Sequence, residues 1–360
     1  MRSAACNQET MDLLRQISEM KLPSVNLMEV CGTHTMAIAK SGIRQMLPEN
    51  VRLLSGPGCP VCVTPAAVMD EILRLSERSD IIITTYGDLI RVPGSVPGDN
   101  LLRRRAQGAR VEMVYSPLDA VKIAEENPDK EVVFLGAGFE TTAPGTVIAI
   151  AVAEEKQLNN FTILSMLKSV EPALRALMAD EQLNVQGFLC PGHVATIIGE
   201  TGFDFLPAEY QMPAVISGFE PEDILLSVYR LLKQLEEQSP KLENTYERAV
   251  MPQGNPLAMA TIKKYLELRD DLWRGLGKIP MSGFGIRKEY AKYDAEVKFG
   301  LTFPEKEGNT ACRCGEVIQG RMSPQECPLF GTVCVPEDPV GPCMVSSEGA
   351  CAAAYKYQGV

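Results

Sequence analysis

Apolar positions along this chain follow two rhythms. Between Met11 and Met20 they recur at helical spacing (Met11, Leu13, Leu14, Ile17, Met20), and Pro23 stops the run. From Val25 onward, short apolar runs of strand length alternate with longer helical stretches. Strands are predicted at 25–30, 51–54, 80–85, 111–115, 131–135, 161–166, 187–190 and 213–216. Helices are predicted at 36–46, 65–75, 146–155, in the Pro-started segment SPLDAVKIAEEN, and after the Pro-Glu-Asp that follows Ser217. Strands alternating with helices imply βαβ units and parallel sheets.

The expected fold class is α/β, with two open parallel-sheet βαβ domains plus a C-terminal cysteine-rich iron–sulfur domain. The divisions predicted along the 360 residues are 1–24 (a helix packing on the rest), 25–128 (first α/β domain), 129–238 (second α/β domain) and 239–360 (helical or irregular). After Ser239 the pattern weakens. Segments 255–268 and 272–276 read as short helical or irregular pieces, and MSGFGIRKEY reads as loop. Two GFE loops, at 138–140 and 218–220, hint at internal duplication. The loops that follow the strands carry Cys31, Cys59, Cys62, Asp88, Glu140, Cys190 and His193. Open α/β sheets build their sites at the carboxyl ends of the strands.

Charge narrows the partners. The formal net charge is −11, and the one dense basic run, Arg103-Arg104-Arg105, reads as a solvated helix face. Nucleic acid and anionic membrane are therefore not expected partners. The start of the chain has no apolar core of signal-peptide type, and the longest apolar runs fall far short of the ~20 residues a membrane helix needs. A cytoplasmic protein is expected.

Cysteine changes the picture most. There are 11, and Cys312, Cys314, Cys327, Cys334, Cys343 and Cys351 crowd the C-terminal end. In a reducing compartment such clustering reads as metal ligands or redox thiols rather than structural disulfides. The tail is rich in Gly and Pro and needs a staple. Four thiolates hold an iron–sulfur cluster: Cys327, Cys334 and Cys351 with one of Cys312 and Cys314. Structural zinc also takes four thiolates, but its usual paired CxxC knuckles are missing from the tail. Cys343 is left as a small buried residue or a spare thiol. Upstream, GPGCPVC places Cys59 and Cys62 in a CxxC after a strand. It reads as a redox dithiol, as half of a metal site completed by Cys31 and His34, or as two structural thiols. EVCGTHTM sets Cys31 near His34, one of only two histidines, across a glycine. The pair reads as a nucleophile or soft metal ligand with a neighbouring base, or as a packed thiol and a hydrogen-bonded imidazole. GAGFET lacks the last glycine of a dinucleotide loop.

Taken in order, CGTHT (31–35), GPGCPVC (56–62), TTYGDLIRVPG (84–94), GFETTAP (138–144), CPGHV (190–194) and MVSSEGACAA (344–353) resemble the HypD family of hydrogenase maturation proteins, over nearly the whole chain. The resemblance implies a scaffold for nickel–iron hydrogenase maturation. With a HypC-type small chaperone, such a scaffold holds a single iron while two cyanides and a carbon monoxide are added. The cyanide comes from HypE, with HypF upstream, and the Fe(CN)2CO unit passes on to the hydrogenase large subunit. By the same resemblance, Cys31 ligates the transient iron and His34 sits close to it. Cys59 and Cys62 form a redox dithiol, Asp88 and Glu348 line the site as proton-handling groups, and the tail cysteines bind a 4Fe–4S cluster. A competing reading is a cluster-dependent thiol–disulfide oxidoreductase, which gives Cys31 no task.

Overall fold

A computed structural model describes residues 8–304 and 311–358, so Cys6 lies outside the described residues. The strands are β1 (Val25–Glu29), β2 (Val51–Ser55), β3 (Ile81–Thr85), β4 (Arg110–Met113), β5 (Glu131–Gly138), β6 (Phe161–Leu167), β7 (Gly187–Pro191), β8 (Ala214–Ser217), β9 (Leu242–Asn244), β10 (Leu266–Trp273) and β11 (Gly277–Ile286). Helices fall between them, and the fold is α/β as expected. One sheet has five parallel strands in the order β2-β1-β7-β8-β9, and a second has four in the order β4-β3-β5-β6. Strands β3 and β6 are buried at every residue. Parallel strands covered by helices on both faces read as unbroken apolar runs, which is why they were the clearest strands in the sequence.

The sheets do not divide the chain at 128/129. Strands β3 and β4 before that point and β5 and β6 after it form one sheet, with Ile82 in register with Val132. Strands β1 and β2 instead pair with β7, which brings Leu27 beside Gly187. The four-stranded unit is thus an insertion within the five-stranded one. Alternating apolar runs specify βαβ units but carry no information on which distant strands pair.

Both sheets reverse direction once, β1 leading outward to β2 and β7 to β8, and β3 to β4 and β5 to β6. The crevices at these reversals lie beyond the carboxyl ends of β1 and β7, and of β3 and β5. Cys31 and His193 follow the first pair of strands, and Asp88 and Glu140 follow the second.

The region after 239 differs from expectation. Helix Pro256–Tyr265 agrees with the short helical piece expected at 255–268, but it leads into a β10–β11 antiparallel hairpin where a short helical or irregular piece (272–276) and a loop are expected. A bulge between Arg269 and Asp271 shifts the register and breaks the alternation that would mark a strand. Gly275 and Gly277, with φ of 78° and 77°, make the turn. Nor is the tail a separate core: Cys314, Cys334, Cys343 and Cys351 share one apolar cluster with Met28, Cys62 and Val133. The C-terminal helix Ala350–Gln358 lies against helix Gly32–Ser41. At the other end, Ile17 of helix Gln8–Glu19 joins Ile224, Leu225 and Val228 in a cluster beneath the five-stranded sheet. The basic run lies on helix Leu101–Ala106, where Arg104 is paired with Asp99 (2.6 Å) and Glu77 (2.5 Å). Among the described residues, no helix is long and apolar enough to cross a membrane.

Trp273 closes the hairpin onto the sheets. It is fully buried, its indole N–H donates to Ser282 Oγ at 2.8 Å, and Phe139 lies 6.0 Å away between ring centroids. Trp273→Ala is predicted to cost about 3–5 kcal/mol through the cavity it opens. A denaturant titration checks this, and an unchanged first transition would contradict the packing described here.

Candidate functional site

Cys31 is the last residue before a helix rather than part of an open loop. Helix Gly32–Ser41 starts immediately after it, and the Thr35 N–H donates to the Cys31 carbonyl at 3.0 Å. The predicted helix start at 36 was therefore four residues late. Gly42, with φ of 72°, ends this helix and separates it from Ile43–Met46. The first turn, Gly-Thr-His-Thr, is poor in helix formers and is held from outside. The Gly32 N–H donates to the Gly58 carbonyl at 2.9 Å, and the Thr33 hydroxyl donates to Glu348 Oε1 at 2.8 Å.

Three segments distant in sequence are layered here. Gly58 lies against the Cys31 backbone so closely that a Cβ would overlap it. A Cβ on Gly32 would stand 2.9 Å from Glu348 Oε2. Cys59, the residue after Gly58, is joined to Cys62 as a disulfide with Cα atoms 5.2 Å apart. Asp88, at the end of β3, accepts from the Ser346 hydroxyl at 2.8 Å, and the Glu348 N–H donates to the same hydroxyl oxygen at 3.3 Å. A cleft of about 280 Å³ opens among Pro60, Val61, Asp88, Thr142, Ser346 and Glu348. The structure therefore brings Cys31, the Cys59–Cys62 disulfide, Asp88 and Glu348 to one place.

Burial governs the protons of this site. Burial pushes the Cys31 thiol up to about 12, against the pull of the N–H groups of His34 and Thr33 at the helix start. Glu348 is also raised, first by burial and further by the nearby Asp88. Beneath Cys31 stands Glu29, fully buried. It accepts from the Cys31 N–H at 3.1 Å and from the Thr35 hydroxyl, and burial lifts it to about 7 even though Arg44 pulls it down.

His34 is turned toward a different neighbour. Its Nε2 donates to the Gly218 carbonyl at 2.9 Å, its ring lies 4.7 Å from Phe219, and burial lowers it to about 4. Its Nδ1 is buried with no partner among the described residues. His193 stacks on the other face of the same region, 3.9 Å from Phe219, so both histidines flank one phenylalanine. Cys190 is fully buried within β7.

The tail cysteines also converge. Cys312 neighbours Cys314, and Cys314 neighbours Cys343. Cys351 is raised well above the ordinary thiol range, first by burial and then by Cys314, Cys312, Cys334 and Cys327. Cys343, expected as a small buried residue or a spare thiol, is buried and sits among the others. Among the described residues, no set of three or more Cys, His, Asp or Glu side chains is gathered as a single metal ion requires. A four-iron cluster spreads its thiolates over four separate irons and needs a wider frame.

A family profile described as HypD, hydrogenase formation hypA family, matches residues 7–358. The chain belongs to the HypD family. It is 48% identical over 337 residues to hydrogenase maturation factor HypD2 of Bradyrhizobium diazoefficiens, covering 92% of this chain and 88% of that one. The factor HypD of Rhizobium leguminosarum bv. viciae is 43% identical over 355 residues, 96% of this chain and 92% of its own. HypD of Escherichia coli K12 is 43% identical over 335 residues, 93% and 89% respectively. The chain is thus a member of a family of hydrogenase maturation factors.

Sequence reading passed over several residues of this HypD-family site. Glu29 had a visible signal, a carboxylate ending the apolar strand VNLME. Phe219 and Ser346 lie inside the GFE (218–220) and MVSSEGACAA motifs, yet their own roles come from contacts made across the fold. Glu29 also yields a pH prediction. Its folded value lies above its unfolded one, so between about pH 4.5 and 7 the unfolded chain gives up the proton first, and stability falls as pH rises. Glu29→Gln is predicted to remove roughly 3 kcal/mol of that decline, at about 1.4 kcal/mol per pKa unit. Unfolding titrations across this window check it, and equal slopes for both proteins would contradict the buried carboxyl.

Proposed function

We propose that this chain is a scaffold on which the iron centre of a nickel–iron hydrogenase is assembled in the cytoplasm. With a HypC-type small chaperone it holds one iron while two cyanides, supplied through HypE with HypF upstream, and one carbon monoxide are added. The Fe(CN)2CO group then leaves for the hydrogenase large subunit. The observation that carries this reading is the layering of the Cys31 helix start, the Cys59–Cys62 loop and the Glu348 segment through Gly32 and Gly58.

The incoming iron is cargo, and Cys31 is its ligand from this chain. A soft thiolate suits the low-spin iron(II) that strong-field cyanide and carbon monoxide favour. In the free chain burial keeps the Cys31 thiol protonated, so iron binding must displace that proton. Glu29, lifted by burial to about 7, stands beside it to take up and release a proton near neutrality, and burial also favours the protonated form of Glu348. A single thiolate from this chain also lets the cargo depart. Asp88 holds the Ser346–Glu348 segment in register. His34 presents its unpartnered Nδ1 as an acceptor within the same helix turn.

Cys59 and Cys62 hold two electrons as a pair. Reducing their disulfide takes two electrons and two protons and yields two thiols, the electrons coming from a one-electron donor protein. The tail fits a 4Fe–4S cluster because its converging donors are all thiols: Cys327, Cys334 and Cys351, with the fourth from the Cys312–Cys314 pair. When bound, that cluster supplies the single-electron steps that the dithiol collects in pairs.

The disulfide also suits a cluster-dependent thiol–disulfide oxidoreductase, and Cys31 separates the two readings. Cys31→Ala is predicted to abolish hydrogenase maturation in cells lacking their own factor. The purified variant should keep a brown chromophore near ~400 nm and about four irons. Undiminished maturation with Cys31→Ala would overturn the scaffold reading.

A further inference from the structure

One residue reaches both cysteine sites. Arg274 sits at the hairpin turn after β10, is 3% exposed, and donates its backbone N–H to the Val63 carbonyl at 2.8 Å. Val63 directly follows Cys62. The side chain runs the other way, into the tail. A Cβ on Gly341 would strike Cys312 Sγ and stand 3.8 Å from Arg274 Nη2, so the guanidinium and that sulfur flank the same glycine. The rest of the turn is docked there too. Gly275 lies against the Gly315 backbone, next to Cys314, and the Gln319 amide donates to the Gly275 carbonyl.

We infer that Arg274 is a positioning residue that sets the redox poise of the tail cysteine cluster and fixes that cluster against the Cys59–Cys62 loop. The inference rests on the reading that the tail binds an iron–sulfur cluster. A four-iron centre on four thiolates is an anion, and a buried anion needs a nearby fixed positive charge. Arginine stays charged when buried and well packed, unlike lysine, whose charge shifts readily. A cation beside the cluster favours the electron-rich state over the electron-poor one and so raises the reduction potential. The link to the dithiol loop is a main-chain bond, so a side-chain substitution leaves it in place and isolates the guanidinium.

The test uses the full chain purified anaerobically as wild type, Arg274→Lys and Arg274→Met, with iron content and a redox titration of the cluster followed by electron paramagnetic resonance. The Met variant is expected to keep its iron and titrate at a lower potential, by about 60 mV or more, which is a tenfold change for a one-electron couple. The Lys variant should fall between the Met variant and wild type. If the Met variant loses its iron, a Lys variant that keeps iron and a near-wild-type potential supports the inference. A full-iron Met variant at the wild-type potential overturns it, and so does equal loss of iron in both variants, because a lysine held beside an anionic cluster keeps its charge. A wild type without iron overturns the cluster reading itself, which distinguishes the two failures.

Discussion

The rest of the site depends on the approach of Gly58 to the Cys31 backbone, sealed by the Gly32 N–H to Gly58 carbonyl bond at 2.9 Å. Two strand-end loops can come this close only where one of them lacks a Cβ. The bond also satisfies an N–H that a helix start leaves without an internal partner. With it made, the poor helix formers Gly-Thr-His-Thr can begin a helix, and Cys31 is fixed at its first turn. The disulfide loop one residue beyond Gly58 is then held against the same turn, and Glu348 covers it from the far side through Gly32. No covalent tie spans these three segments, whose register comes from main-chain contacts and two glycines.

Desolvation decides the electrostatics of this assembly. The shifts of Cys31, Glu29, His34 and Glu348 all have burial as their largest cause, and all run toward the neutral form. The groups around the Cys31 thiol thus rest neutral rather than holding a charge. The tail thiols are raised as well, and several of them are drawn together beside one buried arginine. The hairpin turn that carries this arginine touches both regions. Its local sequence identified neither the strands nor that role.

The fold class was legible because buried parallel strands leave unbroken apolar runs, as in DIIITT and EVVFL. So was the placement of Cys31, Cys59, Cys62 and Asp88 at strand ends, because strand-then-glycine loops are local features. Strand pairing was not legible: Leu27 meets Gly187 across 160 residues, and nothing local distinguishes that pairing from another. The hairpin was hidden by the bulge at Arg269–Asp271. His34 was read with Cys31 because the two are close in sequence, yet a helix turn sends its ring to Gly218 and Phe219 of another strand end. Glu29 was overlooked although it sits two residues from Cys31, since its importance comes from complete burial.

Iron carrying diatomic ligands is expected to rest on this chain. The most direct measurement is the infrared spectrum of the wild-type protein purified anaerobically together with its small chaperone partner from cells producing the hydrogenase. The account predicts bands of metal-bound cyanide and of metal-bound carbon monoxide. A complex with full iron content and none of these bands would contradict it.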